Sequence, residues 1–140
     1  MALVFTTKNA VLLGLETALK TISDIAGVDR KAIGVEEYEG DKGCFLADVR
    51  ELRKTVLKDC IVVTYTAQVV VWVYNEEPDA DLSGDLNLLI EEVKSALQNY
   101  FTLEGIVYKV IISQVDTDAG FEWPKAYGTF TLDILFLSGV

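Results

Sequence analysis

Histidine is absent from all 140 residues. The chain therefore has no side chain whose ordinary pKa lies near neutrality and no imidazole to offer a zinc ion. Ser-His-Asp and Cys-His relays and the HExxH metal helix are excluded with it. The ten glycines are scattered, and neither GxGxxG nor GxxxxGK[ST] occurs, so no phosphate-cradling loop is present in the sequence. Two cysteines, Cys44 and Cys60, permit one bridge at most, and free thiols are the expectation for a chain with no disulfide framework. No apolar run approaches the ~18 residues of a membrane-spanning helix. The opening Met-Ala-Leu-Val-Phe-Thr-Thr-Lys is apolar before it is basic, the reverse of a secretory signal, so a cytoplasmic site of synthesis and folding is expected.

Positive charge is also scarce. Twelve basic against 22 acidic side chains give a formal charge of −10, which repels DNA and anionic lipid at long range. Of the common catalytic schemes only those built on carboxylates or lysine remain. What the chain does have is apolar residues, 51% of the total with a mean hydropathy of +0.30, enough for one compact core. A single domain over 1–140 is expected, with an α+β fold: a mixed, mostly antiparallel sheet and two main helices packed on one face.

Thr7 is a good N-cap, and after it Val11, Leu15, Ala18, Ile22 and Ile25 recur at spacings of four and three. The spacing predicts a helix over 8–26, with Gly27 at the left-handed C-cap. Ala32 to Tyr38 and Phe45 to Val49 read as short strands around a turn at Gly40-Asp41-Lys42-Gly43. Arg50, Arg53, Lys54 and Lys58 hold a third of the positive charge within nine residues. They form either a solvated loop or strand edge, or a basic patch that meets an acidic partner surface.

Ile61 to Tyr74 is the strongest strand, rich in Val, Thr, Tyr and Trp. Its odd positions are apolar throughout and should face the helices. Its even positions begin mixed, with Thr64, Thr66 and Gln68, and turn apolar at Val70, Trp72 and Tyr74. Either a loop of the same chain or a second subunit covers these last three. At ~150–250 Å² per large aromatic and ~25 cal/mol per Å², Trp72 and Tyr74 together represent on the order of 8–10 kcal/mol gross before ordering costs.

An acidic connector over 75–85 precedes a second helical stripe, Leu86, Leu89, Ile90, Val93, Leu97, Tyr100 and Phe101, with Ser83 or Asp85 as cap. Residues 106–115 and 127–137 read as strands, and in the second Phe130, Leu132, Ile134 and Phe136 share a face. Asp79 to Asn87 matches much of a calcium loop, but its twelfth place is Ile90 where a bidentate Glu is required, so an acidic helix cap is the better reading. Asp116, Asp118 and Glu122 gather three carboxylates in the last loop, where a solvated tip is the simpler account. Phe121-Glu122-Trp123-Pro124 within that tip is rich in the aromatics that interfaces favour.

The order and texture of these elements resemble the tail terminator proteins of long-tailed bacteriophages. The resemblance rests on an N-terminal helix, the charged stretch Val49-Arg50-Glu51-Leu52-Arg53, and the long strand Val63 to Tyr74. It continues through the acidic gap, the helix to Leu97, Ile106-Val107-Tyr108-Lys109-Val110 leading to Asp116-Thr117-Asp118, and the closing strand Ala126 to Phe136. It implies a virion tail protein: a hexameric ring of identical subunits that stops elongation of the tube protein and offers a docking surface to the head-tail connector. DNA would pass through the ring without specific binding, and an acidic wall suits that passage. The resemblance implies no catalytic residue, cofactor, metal or membrane partner. The contacts expected from the residues themselves are Val70, Trp72 and Tyr74 on the strand, Phe121, Trp123 and Pro124 at the tip, and Arg50 and Arg53 in the basic stretch. Two other readings stay open: a connector or tail-like particle component of similar build, and a calcium-binding or carboxylate-dependent enzyme domain.

Overall fold

The computed structural model describes residues 5–25, 27–29, 41–57, 60–79, 81–118 and 124–139. Their element order is α1 (Lys8–Leu19), β1 (Val28–Asp29), β2 (Lys42–Leu57), β3 (Cys60–Tyr74), α2 (Leu82–Asn99), β4 (Lys109–Thr117) and β5 (Lys125–Gly139). β3 organises the sheet, because its β-branched and aromatic residues pair along their whole length with β2 on one side and β5 on the other. The strand order is β1-β2-β3-β5-β4; every pairing is antiparallel except the short β1–β2 pair at Val28 and Asp29. This is the α+β arrangement expected from the sequence, with a mostly antiparallel sheet and two helices.

Alternation along β3 and β5 sorts the side chains into two faces. Val63, Tyr65, Ala67, Val69 and Val71 of β3 and Phe130, Leu132, Ile134 and Phe136 of β5 are buried with Val11, Leu15 and Leu19 of α1 and Leu86, Leu89, Ile90 and Val93 of α2. The helices therefore lie on this inner face. Phe5 bridges Leu137, and Thr6 N–H donates to the Leu137 carbonyl at 2.8 Å, beside the part of β5 that β4 does not reach.

Several boundaries differ from expectation. α1 stops at Leu19, and Ile22 stays buried through a turn in which Thr21 and Ile22 donate to Ala18 and Leu19; Asp24 takes a left-handed conformation at φ 61°. β2 is one continuous strand that includes Lys42 and Gly43, which the sequence placed in a turn. Arg50, Arg53 and Lys54 of the basic stretch lie in its second half, and Lys58 lies outside the described residues. α2 begins earlier than its apolar stripe, because Asp81 is the N-cap and accepts from the Gly84 N–H at 3.0 Å. Leu103, Glu104 and Gly105 all have positive φ, and this tight turn after α2 delays β4 to Lys109. The expected strand at Ala32 to Tyr38 lies outside the described residues.

Candidate subunit and partner surface

The outer face of the sheet carries no helix among the described residues. It is built from the alternate positions of each strand: Phe45 and Ala47 of β2, Val70 and Tyr74 of β3, Tyr127 and Leu135 of β5, all half-buried, and Ile111 of β4, 43% exposed. Its centre is polar. Thr66, directly opposite Asp133, donates its hydroxyl to Asp133 Oδ1 at 3.0 Å. Of the face's large aromatics one is already spent: Trp72 is fully buried within the single chain, its indole lying against Gly43 across the β2–β3 ladder. Its area therefore drops out of any reckoning of contact with a neighbour, and Val70 and Tyr74 remain as the partly open members of that trio.

Beyond β1, which reaches only Cys44 and Phe45, β2 has β3 as its one ladder partner among the described residues. Its register shifts at Val49, which is 50% exposed. From there Arg50, Leu52, Arg53 and Lys54 are exposed on both faces, with Glu51 half-buried. On the inner side α1 meets this strand through Lys8, which pairs with Asp48 at 2.9 Å and reaches Glu51 at 4.0 Å. The hydrogen bond to Asp48 and its charge hold the Lys8 ammonium above its usual pKa.

At the other end of the same strands an open cleft of about 720 Å³ lies between the start of β2, the end of β3 and α2. Asp24, Asp41, Asp85 and Glu92 line it with Lys42, Tyr74 and Leu88. Lys42 is held by Glu92 at 3.1 Å, a contact that ties the beginning of β2 to α2. Tyr74 is fixed here by its N–H donating to the Asp41 carbonyl at 2.8 Å and its hydroxyl donating to Glu76.

The expected contact residues thus fall in different places. Arg50 and Arg53 stand exposed on β2, whereas Val70 and Tyr74 lie half-buried on the outer face. Pro124 is half-buried and its carbonyl accepts from Asn75 N–H at 2.9 Å; Phe121 and Trp123 lie outside the described residues. Of the three carboxylates expected in the last loop, Asp116 is instead in β4 and accepts from the Gln114 amide at 2.6 Å, Asp118 N–H donates to the Tyr127 carbonyl, and Glu122 lies outside the described residues. Asp24, Asp41 and Leu88 were not singled out in the sequence, since nothing local signals that a β-strand start, a post-helical turn and a helix face converge. Both cysteines are buried thiols. No described helix is long and apolar enough to cross a membrane.

No family model matches the chain, and no curated protein matches it in sequence. Among solved structures it is similar to the sheath/tube terminator of PVC, an extracellular contractile injection system, seen by cryo-EM in the extended state. The TM-score is 0.46 at 14% sequence identity, over 98% of this chain and 59% of that one. This chain spans about three-fifths of that terminator's length.

Proposed function

We propose that the protein is a structural subunit that forms a ring on the end of a phage tail or tail-like tube, halts its elongation and presents a docking surface to the connector of the head. The observation that carries the reading is the sheet itself: among the described residues its outer face carries no helix and is partly apolar, and the second half of β2 presents exposed basic residues. Surfaces of that kind suit repeated protein contacts, not the enclosed pocket that small-molecule chemistry needs. The element order read from the sequence supports the same assignment. A homo-oligomer, six subunits on the family resemblance, surrounds a channel for DNA, and the formal charge of −10 keeps its wall from gripping phosphate.

The test is to add the purified chain to polymerising tube protein while following tube length by electron microscopy, with light scattering on the chain alone. Tubes that stop growing and carry a ring at one end are the expected result. Unchanged elongation with no end-bound density rules the role out.

A further inference from the structure

Among the described residues of β2 and of the cleft beside its start, charge is sorted along the strand. Toward the β2–β3 turn, Arg50, Arg53 and Lys54 are exposed with only Glu51 among them, and Leu52 beside them is 57% exposed. At the opposite end Asp24, Asp41, Asp85 and Glu92 line the cleft, where Leu88 is 66% exposed. Among the described residues lining it Lys42 is the one cation, and Glu92 already engages it. From Lys42 to Arg50 and Lys54 is eight to twelve residues of one strand, roughly 26–40 Å at ~3.3 Å per residue. The Debye length at physiological salt is ~8 Å. The two ends therefore cannot neutralise each other within a subunit.

We propose that the basic β2–β3 hairpin of one copy docks in the acidic cleft of a second copy. The proposal rests on the ring-forming reading above and names its subunit contact. Arg50 shares the outer face of β2 with Leu52 and Lys54, whereas Arg53 projects from the inner face, so a hairpin entering the cleft offers one guanidinium to each side, and the planar fork of each suits a carboxylate such as Asp41 or Asp85. Leu52 and Leu88 supply an apolar residue to each side at the middle of the charges, as the core of an interface needs. Two hairpins facing each other would set like charges together, so a symmetric dimer through this element is disfavoured. Hairpin into cleft is instead a head-to-tail contact, the type that repeats around a ring.

Charge reversal tests it. Arg50→Glu/Arg53→Glu and Asp41→Arg/Asp85→Arg are made separately, all at exposed positions, and checked for native circular dichroism. Each is then sized by light scattering alone and after mixing in equal amounts. Each variant alone is expected to need more than about tenfold higher concentration to assemble than the wild type. Their mixture should recover assembly with the two chains alternating, since an acidic hairpin now meets a basic cleft and the remaining pair is unaltered. Cysteine pairing gives a second readout: chains carrying Leu52→Cys and Leu88→Cys should cross-link to each other and not to themselves. If the wild type assembles and either reversed variant assembles equally well alone, the contact is overturned and the ring stands. Monomeric mixtures of folded variants also overturn it. A wild type that is monomeric at every concentration and does not cross-link overturns both contact and ring.

Discussion

Gly43→Ala adds one methyl group where the structure has no room for it. Gly43 and Trp72 face each other in the β2–β3 ladder, and a Cβ at 43 would fall within colliding distance of indole atoms Cζ2 and Cε2. The indole is fully buried, so it has no solvent to swing into. Overpacking of this kind costs about 1–3 kcal/mol. Against it stands a gain of about 0.4–1 kcal/mol, because alanine restricts the unfolded chain more than glycine does. The net expectation is a loss of about 1–2 kcal/mol, or about 3–8 °C in Tm for a chain of this size. Urea unfolding followed by circular dichroism measures it, with Gly139→Ala as control, since a Cβ there meets nothing within 4 Å. In a Trp72→Leu background the ring edge is gone, and Gly43→Ala should become neutral or stabilising, giving a coupling of at least about 1 kcal/mol. No loss in the wild-type background, or the same loss in both backgrounds, refutes the packing argument.

Two further outcomes follow from local geometry. Asp81→Ala removes the acceptor for the Gly84 N–H and should lower stability by about 1 kcal/mol in denaturant melts, while Asp81→Asn keeps most of it. Lys8 should titrate above the ordinary lysine value of 10.5 in an NMR experiment on its side chain, and Asp48→Asn should bring it back toward that value. Because the folded pKa is the higher one, this pair's contribution to stability is fully present below 10.5 and is lost as pH rises through the folded pKa.

Elements with a clear period were legible. β3 and β5 show two-residue alternation, and the sets it selects from Val63 to Val73 and from Ala126 to Phe136 are buried, although Thr66, Trp72 and Leu137 are buried besides. The α2 stripe was plain from Leu86 to Leu97, but Phe101, counted in it, lies past the helix end at Asn99 and is 55% exposed; the helix start was hidden by Gly84 in the first turn and a run of capping residues. β2 was illegible for a physical reason. Exposed on both faces through Arg50, Leu52 and Arg53, its second half has no alternation to read, and its extended form goes with its pairing to β3. Trp72 misled for a related reason. Its indole lies against a glycine of the neighbouring strand, a relation visible only once the register is known.

The same register explains why the charge pattern escaped notice. In sequence the basic residues at 50–54 and the acids at 76–92 look like neighbouring segments of one acidic protein. β3 lies between them, and its fifteen extended residues carry the chain back down the sheet before the acidic connector begins. The connector and α2 are thereby set beside Asp41 and Lys42, at the far end from Arg50 and Lys54. A long antiparallel pair thus converts alternating charge in sequence into opposite poles in space. In the proposed contact the basic hairpin of one copy meets the acidic cleft of the next in a single sense, a head-to-tail arrangement and not a symmetric pair.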